Sequence, residues 1–142
     1  MNRPAGAHCQ TSLVTGMALS IMAEVARMLQ ALADKGETGS VDLRSLPLTD
    51  ADREQLEELM GRGEVKAELV VSGDSTVWET SYPGAWWIRH RGAGGKISSE
   101  EISICPVPAI LSAHPADIEA AVNRIKNAIA ELNPSQAEAS NG

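Results

Sequence analysis

The sequence predicts an α+β domain in which an antiparallel sheet of four strands, with Val41 to Arg44 as a candidate fifth at an edge, is packed against an N-terminal and a C-terminal helix. Three observations carry that prediction. Apolar residues recur at three- and four-residue steps near both ends of the chain. Between about Glu64 and Cys105 they alternate with polar residues instead. Gly- and Pro-containing turn dipeptides separate the alternating runs.

The first residues, Met1 to about Thr15, mix Pro, Gly, Ala, Ser and Thr without periodicity and read as a flexible lead-in. His8-Cys9 falls within it. From Ala18 to Ala33 the residues Ile21, Val25, Met28, Leu29 and Leu32 form one apolar stripe on a helix that Gly36 and Gly39 bring to an end. Met17, Met22 and Met28 cluster there, and flexible thioethers serve either to fill core gaps or to form an adaptable docking surface. Ser40 to Pro47 alternates Val41 and Leu43 with polar neighbours and is closed by a proline, which cannot donate to a ladder.

Thr49 then has the chemistry of an N-cap, with Asp50 and Asp52 in the first turn of a second helix. Leu56, Leu59 and Met60 mark its buried side, Glu54, Glu57 and Glu58 its wet side, and Gly61 and Gly63 its end. Glu64 to Val71 reads as a half-buried strand, Ser72-Gly73-Asp74-Ser75 as a hairpin turn, and Thr76 to Thr80 as the returning strand.

Pro83-Gly84 turns the chain into Ala85-Trp86-Trp87-Ile88-Arg89-His90-Arg91, which with Tyr82 holds most of the aromatic bulk of a chain without Phe. Strand alternation puts Trp86, Ile88 and His90 on one face and Ala85, Trp87, Arg89 and Arg91 on the other. The first set is expected to line the core. Trp87, Arg89 and Arg91 would then form a partner-binding face, an indole beside two guanidinium groups suited to carboxylates. The alternative is that the arginine stems only cover Trp87 at a sheet edge or beneath a helix. Gly92 to Lys96 joins two strand-like runs and lacks the strand-to-helix context of a phosphate-binding loop, so it reads as a hairpin loop leading to Ser98 to Cys105.

Pro115 announces the last helix. Along it Ile118, Val122, Ile125, Ile129 and Leu132 form a heptad-like seam whose partner is either the domain's own sheet or a helix of another protein. Asn133-Pro134 ends the helix, and residues 134–142 are expected to be disordered, leaving one domain over 16–133.

Composition narrows the function classes. A chain of 142 residues has room for one domain, and with 43% hydrophobic and 3% aromatic residues its core must be largely aliphatic. The net charge of -7, from 12 basic and 19 acidic residues, argues against nucleic-acid binding through phosphates. No apolar run has membrane-spanning length and no secretory leader pattern is present, so the expectation is a cytoplasmic protein without membrane attachment. Cys9 and Cys105 are far apart and outside any C-x-x-C spacing, which fits free thiols and gives no basis for a metal or cofactor. The adjacent His8 and Cys9 are too few ligands on a tail to make a zinc site. A catalytic reading requires His90 beside Cys105 as base and nucleophile. The plainer reading makes both ordinary strand residues.

Taken in order, Val41-Asp42-Leu43-Arg44-Ser45-Leu46-Pro47, Gly63-Glu64-Val65, Glu79-Thr80 and Pro83-Gly84-Ala85-Trp86-Trp87-Ile88-Arg89-His90-Arg91 resemble the HupH/HyaF hydrogenase expression and formation family, over about Ala18 to Leu132. The chain is similar to short members of the HupJ/HoxT kind, which contain little more than this module. The resemblance implies an accessory role in maturing nickel-iron uptake hydrogenases, with a hydrogenase precursor as partner, the iron-sulfur small subunit first, and other maturation proteins beside it. It supplies no catalytic residues. The expectation is therefore a non-enzymatic binder, against the alternative of a small thiol-dependent redox or cluster-handling enzyme that uses Cys105.

Overall fold

The structure of the protein, a computed structural model, describes residues 13–70 and 74–133. His8, Cys9, most of the lead-in and the expected tail lie outside the described residues. In chain order the elements are α1 (Met17–Lys35), β1 (Gly39–Asp42), α2 (Asp50–Met60), β2 (Lys66–Val70), β3 (Asp74–Glu79), β4 (Ala85–Arg91), β5 (Ile97–Ile104) and α3 (Pro115–Leu132). Short 3₁₀ turns occupy Ala93–Gly95 and Ala109–Leu111. The α+β class expected from the periodicity is the class observed.

The strands form one antiparallel sheet in the order β1-β5-β4-β3-β2, and the fifth, edge strand expected over Val41 to Arg44 is present but runs two residues earlier, Gly39–Asp42. Three successive hairpins build the rest. Each strand pairs with its sequence neighbour because the intervening turns are too short for anything but an antiparallel return. Two compact units divide the chain, one running to Pro108 and the other starting at Ala109.

In the first unit α1 packs against α2 and against β1 and β5. Ala18, Ile21 and Val25 of α1, Leu56 and Met60 of α2, Leu43, and Trp78, Ala85, Trp87, Ile102 and Ile104 of the sheet make up its core. The Pro83-Gly84 turn seats directly on α1. Gly84 has a φ of +95°, and a side chain there would also come within 3.1 Å of Leu29 and 3.3 Å of Leu32. At Gly63 the constraint is close approach, since an added Cβ would fall 2.8 Å from the Thr80 carbonyl oxygen.

The facing of β4 differs from the expectation. Ala85 and Trp87 are both 0% exposed beneath the helices, while Trp86 and Ile88 on the opposite face are buried too, at 5% and 4%. Trp87 is thus interior. The reason is the position of β4 between β3 and β5: a central strand covered on both faces reads as a continuous apolar run, Ala-Trp-Trp-Ile, and the period of two no longer tells inside from outside.

The capping of α2 follows the sequence closely. The Thr49 hydroxyl accepts from Asp52 N at 3.0 Å, and the Asp52 carboxylate accepts from Thr49 N at 3.2 Å, a reciprocal capping box. Asp52 is 0% exposed because its carboxylate also receives Thr15 N at 2.7 Å and the Thr15 hydroxyl at 2.6 Å. The end of the lead-in, Leu13 to Thr15, is therefore tied to α2, with the Leu13 carbonyl accepting from the Thr49 hydroxyl at 2.5 Å. Two side chains of α2 face opposite to expectation. Leu59 is 39% exposed, and Glu57, assigned to the wet side, turns toward the sheet and meets Arg89.

In the second unit, α3 starts at Pro115 as expected, with the His114 ring accepting from Ala116 N at 3.1 Å. None of its residues is buried. Its seam stands open, Ile118 at 55%, Val122 at 44%, Ile125 at 63% and Ile129 at 53% exposed.

Candidate functional site

Antiparallel register places Trp78 of β3 opposite Trp87 of β4, and their rings stack at 5.6 Å with 9° between planes. The same register puts Arg89 opposite Glu100 of β5. Glu100 is 0% exposed. One of its oxygens accepts from the Trp87 indole N–H at 3.0 Å and from Arg89 Nε at 2.6 Å, and the other lies 2.9 Å from Arg53 Nε. That last contact pairs the charges without the angle of a hydrogen bond, which leaves both atoms short of a directional partner.

Glu57 completes the cluster, receiving Arg89 Nη2 at 3.0 Å and Arg62 Nη2 at 3.1 Å. The guanidinium groups of Arg62 and Arg89 sit over the Trp78 ring, at 4.3 and 5.0 Å from its centroid. Burial works against the charge on Arg89, but the Glu100 and Glu57 carboxylates more than offset it and raise its pKa. What the arrangement does is fasten α2 to the sheet by charge. Trp87 itself is 0% exposed and stacks on Trp78, and the arginine guanidinium groups lie over Trp78 rather than over Trp87.

Sequence reasoning missed Glu100, Glu57, Arg53 and Arg62. A signal was present. Glu100 is in phase with Ile102 and Ile104, so a strand that buries those isoleucines must bury the carboxylate with them, and Arg53 and Glu57 are four residues apart on one face of α2.

The other predicted residues are not brought together. Arg91 lies at the far end of β4, where its Nη1 donates to the Gly95 carbonyl at 2.9 Å. His90 opposes Ser99 and shares a 2.5 Å hydrogen bond through Nδ1 with the Ser75 hydroxyl. Cys105 is at the other end of the pair, its N–H bonded to the Gly84 carbonyl and its thiol 3.5 Å from the Ser103 hydroxyl. Six residues of strand, about 20 Å, separate the two, too far for a base and its nucleophile. No group of three or more metal-ligating side chains is present among the described residues. Among them, too, no helix is long and apolar enough to cross a membrane.

A surface opening exists elsewhere in the first unit. Met22, Val25, Ala26 and Leu29 of α1, Met60 at the end of α2 and Tyr82 of the turn before β4 line a cleft of about 110 Å³. Its walls are almost entirely apolar. Tyr82 is 44% exposed at the rim, placed there by the Pro83-Gly84 turn that packs on α1. Met22 and Met60 supply adaptable walls, so the methionine enrichment of α1 contributes to an accessible surface as well as to packing.

An antiparallel sheet to which a Trp-Arg-Glu cluster fastens α2, with an apolar cleft lined by α1, the end of α2 and the turn before β4, defines a small α+β module. Residues 16–132 match the family described as HupH hydrogenase expression protein, C-terminal conserved region, and the chain belongs to that family. Its fold is similar to that of a solved structure titled hydrogenase expression protein HupH from Thiobacillus denitrificans ATCC 25259. The TM-score is 0.79 at 38% identity, covering 82% of this chain and 98% of that one. It is also 29% identical over 86 residues to the Hydrogenase-1 operon protein HyaF of Escherichia coli (strain K12), a match that takes in 61% of this chain and 30% of the relative. The match thus spans less than a third of that curated relative's length. These likenesses are to proteins named for hydrogenase expression and operons.

Proposed function

We propose that the protein acts without catalysis, by binding a hydrogenase precursor, and that the apolar cleft lined by Met22, Ala26, Leu29, Met60 and Tyr82 receives an apolar side chain of that precursor. The cleft is the observation that carries the reading. It is open and apolar, with thioether walls that adapt to an incoming chain, and it is framed by the aromatic strand's own turn, part of the stretch that carries the family resemblance. The iron-sulfur small subunit is the first candidate partner, and the cytoplasm is the proposed location.

Ala26→Arg tests this directly, because Ala26 is exposed on α1 and a long cation there fills the cleft without entering the core. Tagged wild-type protein, expressed together with the hydrogenase operon, is expected to retain a precursor subunit. The variant is expected to lose it by about thirtyfold in affinity while melting at an unchanged temperature. Equal retention of the precursor by a folded Ala26→Arg protein would remove the cleft from the binding surface.

A further inference from the structure

The exposed seam of α3 is self-complementary in one antiparallel register, and we infer that a second copy of this chain covers it. The inference does not depend on the proposed precursor cleft. Counting Ile118, Ile125 and Leu132 as d positions and Val122 and Ile129 as a positions gives an unbroken a/d pattern, with Glu119 and Lys126 at e and Ala121 and Ala128 at g. Among the described residues neither Glu119 nor Lys126 has an ion-pair partner. Four seam residues stand 44–63% exposed and Leu132 87%.

In an antiparallel pair, a layers meet d layers, and e positions meet e positions of the other helix. Set Val122 against Ile125 of the second copy. Ile118 then meets Ile129, and two-fold symmetry repeats both layers. The same register brings Glu119 to Lys126 on both sides and Ala121 to Ala128, so the charges pair and the small residues let the helices approach. Leu132 falls over Pro115 at the start of the other α3.

Neighbouring registers fail on charge. Sliding by one heptad in one direction puts Lys126 against Lys126, and in the other Glu119 against Glu119. A parallel pair sets each e against the g five residues before it, so Lys126 faces Ala121 and Glu119 faces His114 at the helix cap, and the two charges never meet. Only one arrangement satisfies apolar layers and charge together, and it is isologous, as a closed dimer requires.

Sedimentation equilibrium on the full chain tests this over a range of concentrations. The wild type is expected to be a reversible dimer. Glu119→Lys and Lys126→Glu, each turning two attractive contacts into two repulsive ones, should each weaken it roughly tenfold. The double exchange Glu119→Lys with Lys126→Glu should restore it, and Val122→Asp should leave a monomer. Three results would overturn the proposal. The first is a dimer indifferent to the single charge reversals. The second is a monomeric wild type whose melting temperature drops with Val122→Asp, which would mean the seam is covered within one chain. The third is a monomeric wild type in which Val122→Asp melts normally but fails to retain a hydrogenase subunit, which would assign the seam to a different protein.

Discussion

At the scale of single residues, Trp87 and Glu100 depend on each other. The indole needs an acceptor for its N–H once it is buried, and the carboxylate needs donors once the strand carries it inside. Trp87→Ala is expected to destabilise the protein by about 3–5 kcal/mol, through lost packing against Trp78 and the void left behind. Trp86→Ala should cost a similar amount, because the opposite face of β4 is buried as well. Glu100→Ala removes the buried anion between Arg53 and Arg89, leaving Arg89 with Glu57 and Arg53 with Asp50 as their remaining carboxylates. About 3–5 kcal/mol is expected, and Glu100→Gln, which keeps an acceptor for the indole, should recover part of it. Urea titrations of the four variants measure these differences. A Trp87→Ala protein as stable as wild type would contradict the burial described for that side chain.

At the scale of elements, the start of α2 is the joint that holds the chain's first described residues. Three donors converge on Asp52, first the Thr15 hydroxyl, then the Thr15 and Thr49 amides, and together they lower its pKa below the ordinary 3.8 despite its burial. The sign of the linkage follows. Because the folded-state pKa is depressed, the stabilisation is fully present above the unfolded-state value and disappears as the pH falls through the lower folded-state value. Thr15→Val removes one donor, so its acid-unfolding midpoint is expected at a higher pH than that of the wild type. The stability gap between the two should narrow as both carboxyls become protonated. A chain beginning at Met17 loses both Thr15 contacts and should melt below one beginning at Leu13. Identical melting of the two truncations would show the Thr15 contacts to be energetically idle.

At the scale of the whole molecule, the two functional surfaces proposed lie on different units, one in the cleft beside α1 and one on α3. Neither uses Cys105. The thiol is 8% exposed, and its hydrogen-bond partner is Ser103 rather than a base. Cys105→Ser is therefore expected to leave both precursor retention and hydrogenase yield at wild-type levels in cells. Loss of hydrogenase activity in a Cys105→Ser protein that still retains the precursor would restore the thiol-dependent alternative.

The strands, helices and turns were legible in the sequence because each is set by local periodicity and punctuation. The Thr49 cap, Pro83-Gly84, Pro115 and the alternating runs act over a few residues and need no knowledge of the rest of the chain. Membership of the hydrogenase expression family was legible for the same reason, since its motifs are short and ordered. Which face of β4 lies inside was not. A period of two identifies two faces, but only the position of β4 in the middle of the sheet, buried on both, turns Trp87 from a surface anchor into part of the core. The pairing of Glu100 with Arg53, and the meeting of α1, Met60 and Tyr82 around a cleft, likewise join residues far apart along the chain. Sequence patterns fix what a side chain's neighbours along the chain require of it, and tertiary packing alone decides which distant groups share its dielectric and its charge.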